Sequence, residues 1–176
     1  MPNIFLISDL HLGSEGPYKI FLRKDGSLLR PHGSSNEGDE TMILNWNDRV
    51  RPVDKVYLLG DICAGKSAKS LETLSRLRGI KILIKGNHDL HTLSQYAKHF
   101  KDIRACHRLS GMLLTHIPIH PDHFGRCSHN IHGHLHEKEV MLGDTPDIRY
   151  FNVSVERINY TPISLEELKT QLKINT

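Results

Sequence analysis

The 176-residue chain has only three cysteines, Cys63, Cys106 and Cys127. Three cannot all pair, and their spacing fits no zinc or redox motif. That excludes a disulfide-stapled scaffold and predicts reduced thiols in a cytoplasmic protein. Long apolar runs are also missing, since no stretch approaches the roughly 20 residues that span a bilayer. The N-terminus lacks a basic segment and a small-residue cleavage site. Met1-Pro2-Asn3 therefore leads into Ile4-Phe5-Leu6-Ile7 as a first core strand, not as a signal peptide. Nor is there a strong excess of one charge: 23 Lys and Arg face 20 Asp and Glu, a net +3 with histidine neutral. The basic clusters are small (Arg23-Lys24, Lys66 to Lys69), which favours solvated surface over a nucleic-acid groove. No repeat, low-complexity tract or linker divides the chain, and its length suits one domain over residues 1–176.

Histidine is plentiful, with 13 copies. Their position is more telling than their number. Ile4 to Ser8, Lys55 to Leu59 and Ile80 to Ile84 read as buried strands, apolar on both faces. Between them, Met42, Ile43, Trp46 and Val50 give an amphipathic helix over about 37–50. Leu71, Leu74 and Leu77 give another near Ser67 to Leu77, and a third is predicted over Leu90 to Phe100. The order β-α-β-α-β predicts an α/β fold with a largely parallel sheet. Ile103 to His107, Met112 to Thr115, Asn130 to His132, Ile148 to Val155 and Arg157 to Tyr160 read as strands of a mixed or antiparallel continuation. Ser164 with Glu167 forms a capping-box pattern before a final helix over about 165–173. Residues 12–36 are polar and Gly-rich, with a hairpin predicted at Lys24-Asp25-Gly26.

Five polar clusters sit at the ends of these strands: Asp9-Leu10-His11, Gly60-Asp61, Gly86-Asn87-His88-Asp89, His116, and Gly133-His134-Leu135-His136. Strand alternation sends Asp9 and His11 to one side. Asp61 could bridge two ions through its two oxygens. Asn87 offers a neutral carbonyl, and His88 is either a ligand or a proton donor. Asp89 could hold the other nitrogen of His88. Taken singly, each cluster has an ordinary reading as a turn, a cap or a surface histidine. Together they form a donor set for two adjacent divalent ions, an arrangement suited to attack on a phosphate ester.

In this order the clusters resemble the calcineurin-like metallophosphoesterase superfamily, and the Asn45-Trp46-Asn47 helix and the Asn152-Val153-Ser154-Val155-Glu156 tail are similar to a compact bacterial and phage branch. The resemblance implies a four-layer α-β-β-α sandwich with mixed sheets and a dinuclear site at the strand ends. Asp9, His11 and His136 would hold one metal, with Asp61 bridging. Asn87, His116 and His134 would complete the second. His88 would be the general acid, oriented by Asp89. The implied reaction is hydrolysis of a small phosphate ester, of the phosphodiester or nucleotide type, by in-line attack of a hydroxide held between the metals. Manganese is the expected metal, with iron, nickel, cobalt or zinc as alternatives. A nuclease of the same superfamily and a non-catalytic metal-binding scaffold are the competing readings. The chain departs from many members in lacking a basic residue just after Gly60-Asp61. A phosphate clamp would then come from Lys66, or from Arg23, Arg30 and His32. Specificity is expected in residues 12–36 and in Pro118 to Ser128, with His120, His123 and Arg126.

Overall fold

The computed structural model describes residues 1–63 and 68–174, with the side chain of Ala68 outside the described set. β1 (Ile4–Ile7), β2 (Lys55–Leu58), β3 (Ile80–Ile84) and β4 (Asp102–Arg104) run parallel, and β11 (Ile163–Ser164) closes the other edge antiparallel to β1. Alternation explains why these strands are apolar throughout. Phe5, Ile7, Val56, Leu58 and Leu83 face the helices. Leu6, Tyr57, Ile82 and Ile84 face a second sheet. That sheet has the order β10 (Tyr150–Asn152), β7 (His129–His132), β6 (Met112–Leu114), β5 (His107–Leu109) and contributes Met112, Leu114 and Ile131 to the shared core. It is a separate sheet and not a continuation of the first. Three of its strands are parallel, and only β5 is antiparallel.

α1 (Gly16–Lys19) is a single turn, begun by Pro17, that the sequence did not suggest. α2 (Ser35–Arg49) is capped by the Ser34 side chain. It buries Met42, Ile43 and Trp46 on β1 and β2, and Trp46 Nε1 donates to Arg78 O at 2.9 Å. α3 (Ala68–Ser75) adds Leu74 to the same face. The helix expected over 90–100 shrinks to α4 (Leu93–Tyr96). Thr92 fixes its start with a capping box, Leu90 and Leu93 stay exposed, and only Tyr96 and Phe100 reach the core. α5 (Leu165–Gln171) carries the predicted Ser164–Glu167 capping box.

Other expectations are corrected. Ile103 to His107 is not one strand. Chain direction changes at residues 105–106, which carry the backbone from the edge of one sheet to the edge of the other. Residues 157–160 are turns closed by Arg157 N→Ser154 O (2.8 Å) and Tyr160 N→Val155 O (2.8 Å). The hairpin at Lys24-Asp25-Gly26 is present but slight, with Leu22 and Leu28 forming one antiparallel bridge. A small ribbon, β8 (Met141–Leu142) with β9 (Thr145–Pro146), stands apart. The second sheet carries a single 3-10 turn, Pro121–His123, whose neighbour Phe124 packs on Tyr150. No helix among the described residues is long and apolar enough to cross a membrane.

Candidate metal centre

Parallel pairing puts the C-terminal ends of β1, β2 and β3 side by side. The ends of β6 and β7 meet them from the second sheet. Short backbone links stitch this region together: Asp9 N→Gly60 O (3.0 Å), His11 N→Asp61 O (3.0 Å), Gly133 N→His116 O (2.9 Å) and Ser8 N→Val153 O (2.9 Å). The strands end before the ligands. Asp9, His11, Asp61, His134 and His136 all have φ between 48° and 68°. A side-chain-bearing residue in this left-handed region is strained, and such strain gathers at functional sites. Asp9 and His11 therefore share a side because of two left-handed turns around fully buried Leu10, not because of strand alternation.

Two clusters result. Asp9, His11 and His136 have ligand atoms within 4.8 Å of one another, as do Asp61, His116 and His134. Asn87 joins the second, its Oδ1 lying 2.9 Å from His116 Nε2. Asp61 links the two clusters: its Oδ2 is 3.7 Å from His11 Nε2 and 3.4 Å from His116 Nε2. Its Oδ1 accepts from His88 N at 2.8 Å. The oxygen facing both clusters is thus a single atom, where two separate oxygens were expected. Gly60 and Gly86 permit the close approach. A Cβ on Gly60, which has φ +87°, would sit 2.7 Å from Gly86 Cα, and one on Gly86 would strike the Asp61 carboxylate.

The donor chemistry fits divalent cations. Asp9 Oδ1 and His11 Nε2 are buried without a hydrogen-bond partner and lie 3.9 Å apart. Two such orphans cost about 1–3 kcal/mol each unless something accepts their lone pairs. Burial, then the nearby Arg30 charge, lowers the His11 pKa to about 3, so its lone pair is free near neutral pH. Burial raises that of Asp9. Burial also acts against the charged forms of Asp61 and His116, but their mutual contact wins: Asp61 is held at about 2 and His116 above its ordinary value. With imidazole, carboxylate and amide donors and no thiolate, the set suits first-row transition metals.

Behind the first cluster runs a buried charge chain that the sequence reading missed. His136 Nδ1 lies 3.2 Å from Glu156 Oε2, and Arg30 Nε donates to Glu156 Oε1 at 2.8 Å. The same guanidinium donates to Leu10 O (2.8 Å) and Asp9 O (2.5 Å). Arg30 and Glu156 side chains are both fully buried. Asp9 Oδ2 in turn accepts from His134 N and Ser154 Oγ, each at 2.9 Å. The sequence carries one signal for this layer. Asn152, Ser154 and Glu156 alternate with buried Val153 and Val155, placing three polar groups on one side.

Asp89 departs from its expected role. Its Oδ2 accepts from Gly86 N (2.8 Å) and Asp61 N (3.0 Å), and its Oδ1 from Ile62 N (2.9 Å) and Tyr96 Oη (3.2 Å). Four donors occupy this fully buried carboxylate, which leaves nothing for His88. Asp89 fixes the backbone beneath the site instead. His88 belongs to neither cluster. It is exposed on the adjoining cleft, with its ring 5.6 Å from that of His11.

The clamp candidates are corrected as well. Arg30 is spent on the buried chain. His32 is enclosed between Tyr18 and Tyr160, and Arg23 is tied to Leu29 O and Glu137. Lys66 lies outside the described residues. The cleft bearing His88 is lined instead by Lys138, and His120, His123 and Arg126 do not line it.

A family model described as calcineurin-like phosphoesterase matches residues 2–165. An uncharacterised protein of Methanocaldococcus jannaschii is 34% identical over 172 residues, covering 94% of this chain and 89% of its own length. The gene 66 protein of Mycobacterium phage L5 is 27% identical over 175 residues, covering 80% of this chain and 81% of its own. The crystal structure of AQ665, a protein of unknown function from Aquifex aeolicus, superposes with a TM-score of 0.69 at 24% identity, over 97% of this chain and all of that one. With strand-end clusters in this order and a family match across nearly its whole length, the chain belongs to the calcineurin-like phosphoesterase family and has its mixed α/β fold.

Proposed function

We propose that this protein is a dinuclear metal-dependent phosphoesterase that hydrolyses a small phosphate ester, with His88 as general acid. The observation that carries the reading is the place of Asp61 Oδ2, between His11 of one cluster and His116 of the other. Asp9, His11 and His136 would hold one ion, and Asn87, His116 and His134 the other, with Asp61 shared. When bound, such a pair supplies a nucleophilic hydroxide near neutral pH and offsets phosphate charge.

The remaining work falls to the chain itself. The two carboxylates Asp9 and Asp61 are few enough to leave a loaded site net positive, which attracts an anionic ester. His88, exposed on the open side of the cleft, would protonate a departing oxygen. Asp89 holds the turn bearing Asn87 and His88 against Asp61. Lys138, which lines the cleft, would supply positive charge towards the phosphate. The protein works as one domain in the cytoplasm, with manganese as the first choice of metal.

A panel of metals against monoesters, linear diesters, and 2′,3′- and 3′,5′-cyclic nucleotides tests this reading. Turnover with Mn²⁺ that chelation abolishes is expected. No turnover with any metal on any of these esters would overturn it and favour a scaffold role.

A further inference from the structure

The cleft that bears His11, His88, His134 and His136 has a volume of about 520 Å³, within the usual range for small-molecule sites. It is not polar throughout. Phe21, Leu22, Leu29 and Leu135 line it too. Phe21 is 47% exposed and Leu22 62% exposed, and neither belongs to either core cluster. A cluster of apolar side chains exposed beside a polar cleft is a feature of ligand-binding grooves.

The segment carrying them is built and not slack. Leu29 N donates to Phe21 O (2.8 Å), Arg23 N to Ser27 O (2.8 Å) and Arg23 Nη2 to Leu29 O (3.0 Å). Gly16 gives the Phe21 ring room, because a Cβ there would lie only 3.2 Å from it. At the rim, Arg23 meets Glu137 at 3.5 Å, while Lys138 has no ion-pair partner among the described residues. The rim therefore favours an anion, and the shelf favours a flat apolar group attached to it.

Resting on the phosphoesterase reading, we propose that the shelf recognises a planar aromatic substituent of the phosphate ester, of the nucleobase type, with Phe21 as its stacking partner. An aromatic ring held at a fixed place matches a flat π-face better than a flexible alkyl chain. Stacking of a base on an aromatic side chain is commonly worth about tenfold in affinity or more.

Calorimetric titration of the Mn²⁺-loaded protein with adenosine 5′-monophosphate and with methyl phosphate tests the proposal. The wild type should bind the nucleotide about tenfold more tightly than methyl phosphate. Phe21→Ala should bring that ratio towards one, and Phe21→Trp should preserve it, with thermal melting used to show that both variants fold. Equal wild-type affinities, or a ratio that Phe21→Ala leaves intact, would overturn the proposal. So would a concentration-dependent dimer dissolved by Phe21→Ala, which would mean that the shelf covers a second copy. Failure of the phosphoesterase reading looks different: neither phosphate binds and no ester turns over.

Discussion

Oδ2 of Asp61 stands 3.4 Å from Nε2 of His116, and the same oxygen is 3.7 Å from Nε2 of His11. One atom thus faces both ligand clusters. Asp61→Asn removes a negative charge from both sites at once. Changes in groups that merely orient ligands cost about 10–100-fold in metal affinity, so loss of a shared ligand should cost at least that at one site. Calorimetric metal titration reads the effect. An isotherm unchanged from wild type would remove Asp61 as the bridge.

His88→Ala should lower turnover of an ester with an alkoxide leaving group by about 10²–10⁴. A nitrophenolate leaving group needs no proton, so its ester should suffer far less. Metal content should stay at the wild-type level, because His88 lies in neither cluster. Equal losses on both esters, or loss of metal, would contradict the general-acid role.

Much of this site is legible in the sequence, and the part that is not has a physical reason. Asp9, His11, Asp61, Asn87, His116, His134 and His136 each follow a strand, and the parallel order of β1, β2 and β3 brings their ends together. Chain order and the family resemblance point to these residues, although left-handed turns and not strand alternation put Asp9 and His11 on one side. The Arg30–Glu156 pair joins residues 126 positions apart, and Ser154–Asp9 joins residues 145 apart. Such contacts follow from how distant segments pack, here the loop before α2 and the stretch after β10, and no window of sequence reports that. Sequence adjacency pairs Asp89 with His88, and that contact does not form. The carboxylate points the other way, to the backbone amides of Asp61, Ile62 and Gly86.

Glu156→Gln tests the buried chain. His136 loses its charged partner, and Arg30 keeps a buried charge with none. Breaking such a pair costs about 3–5 kcal/mol, because one ion remains uncompensated. Metal affinity at the first cluster should fall about 10–100-fold. Denaturant unfolding and metal titration of the same sample read both effects. Wild-type stability would show that Arg30 does not depend on Glu156.

Asp54 lies far from this chemistry and gives a prediction about pH. Its carboxylate accepts from Asn3 N (2.7 Å), Arg51 N (2.9 Å), Arg51 Nη2 (2.7 Å) and Arg51 Nε (3.0 Å). The hydrogen bond with the Arg51 side chain, against some burial cost, holds its pKa well below the usual carboxylate range. The native state therefore binds this proton less readily than the unfolded state. The stabilisation is full above about pH 4 and is lost as pH falls towards the native value. Asp54→Asn should lower stability at pH 7 by about 1–2 kcal/mol and flatten the decline below about pH 4. Parallel stability curves for the two proteins in acid would contradict this.

In the proposed mechanism one chain holds two ions, joined by Asp61, and hydrolysis needs both. The direct measurement is metal content by mass spectrometry across a Mn²⁺ titration of chelator-stripped protein, with turnover of bis(4-nitrophenyl) phosphate followed in the same samples. Two ions per chain are expected at saturation, with turnover rising as the second binds and with Asp61→Asn failing to reach both. Full turnover at one ion per chain, or two bound ions with no turnover, would contradict this mechanism.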